Sequence, residues 1–146
     1  MLVKAIAPLD DAQLDLSAAP PLWSVRMLVS HIAAVRAWWF HSWMGEGDAG
    51  WDKYHAWDDL EEMSSRQAPE LTRALEETWA LVAASMERWT TADLDEEFRR
   101  PTPNAKGERP LRSRQWIVWH VAEHDVHHGG ELSLTLGMHG VPGLDL

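Results

Sequence analysis

Four of the chain's eight histidines fall within nine residues, at His120, His124, His127 and His128, in the stretch HVAEHDVHHGGEL. Imidazole carries protons near neutral pH and is a ready ligand for divalent metals. A cluster of this kind fits a pH-sensing surface, an acid–base site or a metal centre. If the segment is helical, His124 lies about 40° from His120, His128 about 80°, His127 about −20° and Glu131 about 20°. Five side chains able to bind a proton or a cation then share an arc of about 100°. Ile117 falls inside that arc, and Val121 and Leu132 flank it. The arc therefore borders an apolar face, and part of it turns inward.

Inward placement has a cost. An imidazole buried without a partner costs about 1–3 kcal/mol, and crowding several together depresses their pKa values. A divalent cation removes the problem, because it takes neutral imidazole nitrogens directly. Two histidines at i, i+4 on one helix face form a recurrent metal-binding spacing. The stretch offers two such pairs, His120 with His124 and His124 with His128. His31 supplies a candidate third nitrogen from the middle of an apolar stripe on a different predicted helix. Alone it would more often be a satisfied core histidine. With the late cluster it makes a three-nitrogen site between facing helices, where bundles build metal centres. Three protein ligands leave positions for water or substrate, as catalytic sites do. Glu131 is the candidate to orient a ligand or accept a proton; the plainer reading is an exposed helix carboxylate. His41, His55 and His139 read as loop or surface residues.

The elements that must position these groups are helical. Ser24 fits the N-cap of a helix over about 24–44, with Met27, Leu28, Ala34, Val35, Trp38 and Trp39 on one stripe. Gly45 and Gly47 end it. A second helix spans about 68–89, and a third starts near Ser113 and runs to about 137. Residues 1–8 allow at most a short helix, and Asp10 with Gln13 fits a capping box for another turn. Thr90 and Asp93 fit a second capping box, for a turn at 91–97. Residues 45–66 form a long connection with Trp51, Tyr54 and Trp57, which predicts that it packs on or covers something. Residues 99–110, rich in proline, read as loop, and the tail MHGVPGLDL cannot continue a helix. No segment alternates as a strand does.

Composition narrows the function. A formal charge of −10 argues against nucleic-acid binding. The one basic cluster, from Arg99 to Arg114, reads as a solvated loop. There is no cysteine, so any metal is held by nitrogen and oxygen. No apolar run is long enough to span a membrane, and no secretory leader is apparent, so the expected location is cytoplasmic. Ten tryptophans suggest a core or pocket lined with rings. No nucleophile elbow, HExxH or phosphate-binding glycine loop occurs.

The segments WSVRMLVSHIAAVRAWW and HVAEHDVHHGGELSLTLGMHG, separated by an amphipathic helix, resemble the DinB/YfiT-like superfamily over about residues 9–140. The most specific features are Trp23-Ser24 with a histidine seven residues after the serine, and the late His-x-x-x-His. The resemblance implies an all-α, antiparallel up-down four-helix bundle with a shortened first helix, here one domain over 1–146. It implies a divalent metal, zinc or nickel, on His31, His124 and His128, with His120 and His127 as candidates for supporting contacts. It also implies a thiol S-transferase using mycothiol, bacillithiol or glutathione on a small-molecule substrate. A metal-dependent hydrolase and a non-catalytic metal- or ligand-binding stress protein are the alternatives. Many relatives carry Arg-Gly-Gln after the last ligand, where this chain has Gly129-Gly130-Glu131. The short first helix leaves apolar bundle surface uncovered, so a homodimer is expected.

Overall fold

The structure, a computed structural model, describes residues 1–144; the last two residues of the MHGVPGLDL tail lie outside them. Its elements are α1 (Leu2–Ile6), α2 (Asp11–Leu14), α3 (Val25–Ala37), α4 (Leu60–Met63), α5 (Ala68–Arg88) and α6 (Arg114–Met138), with a two-stranded ribbon, β1 (Glu97–Arg99) and β2 (Leu111–Ser113). α3 and α6 begin where the sequence places their starts, at Ser24 and Ser113. Ser24 Oγ accepts from Met27 N–H and Ser113 Oγ accepts from Trp116 N–H, which satisfies N–H groups that the first turn leaves free. Asp10 and Gln13 form both halves of a capping box on α2.

Three departures from the sequence reading concern how segments end. The helix expected over 24–44 is α-helical only to Ala37 and continues as a π-helix over Trp38–Trp43. This wider turn brings Trp43 inward, where its Nε1–H donates to the Phe98 carbonyl at 3.0 Å. The connection at 45–66 holds a 3-10 segment, Ala49–Asp58, followed by α4. Gly47 sits at the corner between the π-helix and the 3-10 segment with φ 76°, and a Cβ there would lie 2.4 Å from the Trp51 ring, so only glycine fits. Third, the loop expected at 99–110 is flanked by antiparallel pairing of Glu97 with Ser113, Phe98 with Arg112 and Arg99 with Leu111. The turn expected at 91–97 is correspondingly a 3-10 turn confined to Ala92–Asp95. Strands of three residues are too short for alternation to register.

α1 and α2 take the place of a long first helix. Ile6, Leu9 and Leu14 pack with Val25, Leu28, Val29 and Ile32 of α3, Leu71 and Leu75 of α5, and Leu132 and Leu136 of α6. Buried Arg26 fastens α2 to α3, its Nε donating to Asp15 at 3.0 Å and its Nη2 to the Asp11 carbonyl at 3.2 Å. A second apolar cluster lies further along the bundle, built on Phe40, Trp43, Leu81, Val82, Ile117 and Val121. The tryptophans divide between the interior and the surface: Trp38, Trp39, Trp51 and Trp89 pack on this cluster, while Trp79 and Trp119 are exposed. Between α1, α5 and α6 a cavity of about 590 Å³ stays open beside Trp79 and Val126. Among the described residues, no helix is long and apolar enough to cross a membrane.

Candidate metal centre

On α6 the two apolar clusters are separated by polar positions. Ile117 and Val121 belong to one, Leu132 and Leu136 to the other, and His124, Asp125 and His128 lie between them. On α3, His31 and Arg36 occupy the matching level. A polar layer thus crosses the interface of α3 and α6, with three imidazoles on one side and an ion pair on the other.

His31, His124 and His128 each offer one nitrogen, and these atoms lie within 4.8 Å of one another. The Nε2 atoms of His31 and His124 are 2.9 Å apart. The ring centroids of His124 and His128 are 4.3 Å apart, and those of His31 and His128 are 5.0 Å apart. His31 Nδ1 meets Asp58 Oδ1 at 2.5 Å, and His128 Nδ1 meets Glu131 Oε2 at 2.6 Å. A carboxylate can only accept from an imidazole, so each pair places the proton on Nδ1 and leaves the Nε2 lone pair available. His124 Nδ1 is buried with no hydrogen-bond partner among the described residues. Burial, then the nearby histidines, His128 and His31 first, pull the His124 pKa down to about 3, so this imidazole is neutral at physiological pH. Imidazoles with converging nitrogens and carboxylate-backed Nδ1 protons are the donor set that a divalent cation takes. The residues present fit such an ion.

Trp23 closes one flank, edge-on to His31 with centroids 4.9 Å apart and stacked toward His128 at 6.4 Å. The remaining histidines of the late cluster are not part of the trio. His120 lies against Trp116, with centroids 4.9 Å apart, and against Trp39 at 4.8 Å; its ring is 6.3 Å from that of His124. Burial lowers its pKa. His127 is exposed, with Nε2 3.5 Å from Glu131. Glu131 therefore bridges His127 and His128 and is anchored to the trio through His128. Of the three histidines expected in loops or at the surface, His55 and His139 are exposed. His41 is instead largely enclosed in the π-helical turn, its Nδ1 donating to the Glu46 carbonyl at 2.7 Å.

Two contributors escaped the sequence reading. Asp58 comes from the end of the 3-10 segment, which Tyr54 pins to α5: the Tyr54 hydroxyl donates to Glu77 at 2.8 Å, and burial with that carboxylate pushes the Tyr54 pKa up. The one available signal was that a long aromatic connection must cover something. Asp125 accepts from Arg36 Nε at 2.9 Å and from Nη2 at 2.7 Å, while Arg36 Nη1 donates to the Leu75 carbonyl at 3.2 Å. Burial raises the Asp125 pKa against the opposing pull of Arg36.

The helical fold and the imidazole trio define a bundle protein of the DinB class. The chain belongs to the mycothiol-S-transferase family, whose model matches residues 1–135. No curated protein matches it in sequence. Among solved structures it is similar to a DinB-like protein from Bacillus cereus ATCC 10987, with TM-score 0.66 and 19% identity over 99% of this chain and 88% of that one. A conserved protein from Enterococcus faecalis gives TM-score 0.67 and 18% identity, over 93% and 89% of the two chains. YfiT from Bacillus subtilis, described as a probable metal-dependent hydrolase with an unusual four-helix bundle topology, gives TM-score 0.62 and 19% identity over 95% and 79%. These likenesses establish the shared fold.

Proposed function

We propose that His31, His124 and His128 hold a divalent metal ion and that the protein joins a low-molecular-weight thiol to a small electrophile. The observation that carries this reading is the trio itself: three imidazole nitrogens within 4.8 Å, two of them on rings whose other nitrogen is held by a carboxylate. An all-nitrogen donor set suits zinc or nickel. When bound, the ion acts as a Lewis acid and lowers the pKa of a thiol, favouring the thiolate.

The chain's own residues have separable tasks. Asp58 and Glu131 fix the tautomers and ring orientations of His31 and His128. Trp23 keeps water from the shared flank of those two rings. Glu131 is committed to the His128 Nδ1 proton, so the thiol proton leaves to solvent. In the overall reaction the S–H bond gives up its proton and a sulfur–carbon bond forms. The carbon–leaving-group bond breaks, and the leaving group departs with the electron pair. The family match supports mycothiol as the first thiol to test, ahead of bacillithiol and glutathione.

The decisive experiment combines metal analysis with turnover. Untagged protein should contain close to one divalent ion per chain and should consume mycothiol with an alkylating electrophile only when metal is present. His124→Ala should abolish both. Metal-free protein that takes up neither zinc nor nickel would sink the reading. The fold shared with YfiT favours one second reading, hydrolysis at the same centre, and turnover of esters or amides without thiol would select it.

A further inference from the structure

Two cavities lie near the trio: one is lined by His128 and Glu131, the other by Asp58 but by none of the three histidines. The first, of about 380 Å³, has Leu22, Trp23, Leu28 and Leu134 as its apolar wall and His128 with Glu131 as its polar end. Among the described residues, no lysine or arginine lines it. The second, of about 390 Å³, opens at Asp58 and mixes donors with acceptors: His55, Asp59, Arg100 and Thr102 stand around Trp38. The Arg100 guanidinium leans on the Trp38 ring at 5.0 Å. The larger cavity beside Trp79 touches none of the three histidines.

We infer that the apolar cavity beside His128 receives the electrophile and selects an uncharged, apolar one. This inference rests on the thiol-transfer reading. The cavity that touches His128 is walled by apolar side chains, which suits an apolar electrophile rather than a polar thiol. An apolar ring or branched chain placed against Leu22, Trp23 and Leu134 removes apolar surface from water at little cost. An anion in the same place loses its hydration, finds no cation and faces the Glu131 carboxylate. Glu131, which lines the cavity beside His128, adds negative charge there and none positive. The carbon to be attacked sits at the His128 end of the cavity. There the new sulfur–carbon bond forms, and the leaving group departs with its electron pair as the thiol proton passes to solvent.

The test uses two probes of matched shape, toluene and 4-methylbenzoate, titrated into the full-length ¹⁵N-labelled chain with and without zinc. Toluene should shift the amide signals of Leu22 and Leu134 and the indole N–H of Trp23. 4-Methylbenzoate should bind there at least about tenfold more weakly, a difference of about 1.4 kcal/mol. Leu134→Lys, at an exposed rim position, should narrow that gap. Equal binding of the two probes, or toluene shifts gathered around Trp79 and Val126, would overturn the inference. Neither probe reacts, so this result is independent of turnover. A parallel assay with mycothiol and benzyl chloride on zinc-loaded protein separates the two ideas. Thioether formation without binding at Leu134 removes the cavity assignment and spares thiol transfer. Binding at Leu134 with no thioether from any thiol–electrophile pair removes thiol transfer and, with it, the electrophile assignment.

Discussion

Arg36 and Asp125 join α3 to α6 by a two-armed ion pair, five residues beyond His31 on one helix and one residue beyond His124 on the other. Both side chains are largely enclosed, at 6% and 17% exposure. The pair pins α3 to α6 at the level of the imidazoles, and so should set their spacing. Removing one member leaves a buried charge unpaired, a loss on the order of 3 kcal/mol. Asp125→Ala should lower the unfolding free energy of metal-free protein, read by urea titration, by that much and weaken zinc binding as well. Arg36→Met combined with Asp125→Leu should recover most of the stability, since packed apolar groups commonly replace a buried pair without loss. Full zinc affinity in Asp125→Ala would show that the pair does not set the spacing.

Asp58 and Glu131 act through the histidines they hold. Supporting carboxylates of this kind are worth about 10–100-fold in metal affinity. Asp58→Ala and Glu131→Ala should each weaken zinc binding by a factor in that range, read by competition with a chromophoric chelator. Glu131→Gln should lose less, because the amide oxygen still accepts from His128 Nδ1. Unchanged affinity in both alanine variants would mean that the tautomers are fixed by something else.

The part of this site that sequence could show is the part written in local spacing. His124 and His128 share a face because α6 is regular from its Ser113 cap to Met138, and His31 stands out because its neighbours at helical spacing are apolar. The residue resemblance, rather than geometry, chose His128 over His120. Asp58 was hidden because its place depends on Tyr54 reaching Glu77, a contact across 23 positions that no local pattern encodes. The Arg36–Asp125 pair is separated by 89 positions, and an arginine next to an apolar stripe ordinarily reads as solvent-facing. The π-helical end of the first long helix was hidden for a different reason: WWFHSW keeps helical spacing and has no breaker before Gly45.

His120 tests the assignment from the other side. Helical spacing pairs it with His124 as well as His128 does, yet its ring is packed between Trp39 and Trp116. His120→Ala should leave the metal content at one ion per chain, measured by elemental analysis, while opening a gap worth roughly 1–3 kcal/mol in stability. A loss of metal comparable with that in His128→Ala would move His120 into the ligand set.

The depressed His124 pKa makes the metal-free protein sensitive to acid. In the unfolded chain His124 takes up its proton near pH 6.5, whereas in the fold it resists protonation down to about pH 3. The unfolded state therefore binds more protons throughout that window, and stability falls as pH falls across it. His120, with its pKa also lowered by burial, contributes in the same direction. Asp125, raised by burial, opposes them at the acid end, so the comparison must isolate His124. Urea midpoints of metal-free protein should decline from pH 7 to pH 4, and His124→Phe, which cannot take up a proton, should flatten that slope. Zinc should steepen the decline in the wild type, because ligation needs deprotonated imidazole and its stabilisation disappears as the ligands protonate. An unchanged slope in His124→Phe would show that the acid sensitivity arises elsewhere in the chain.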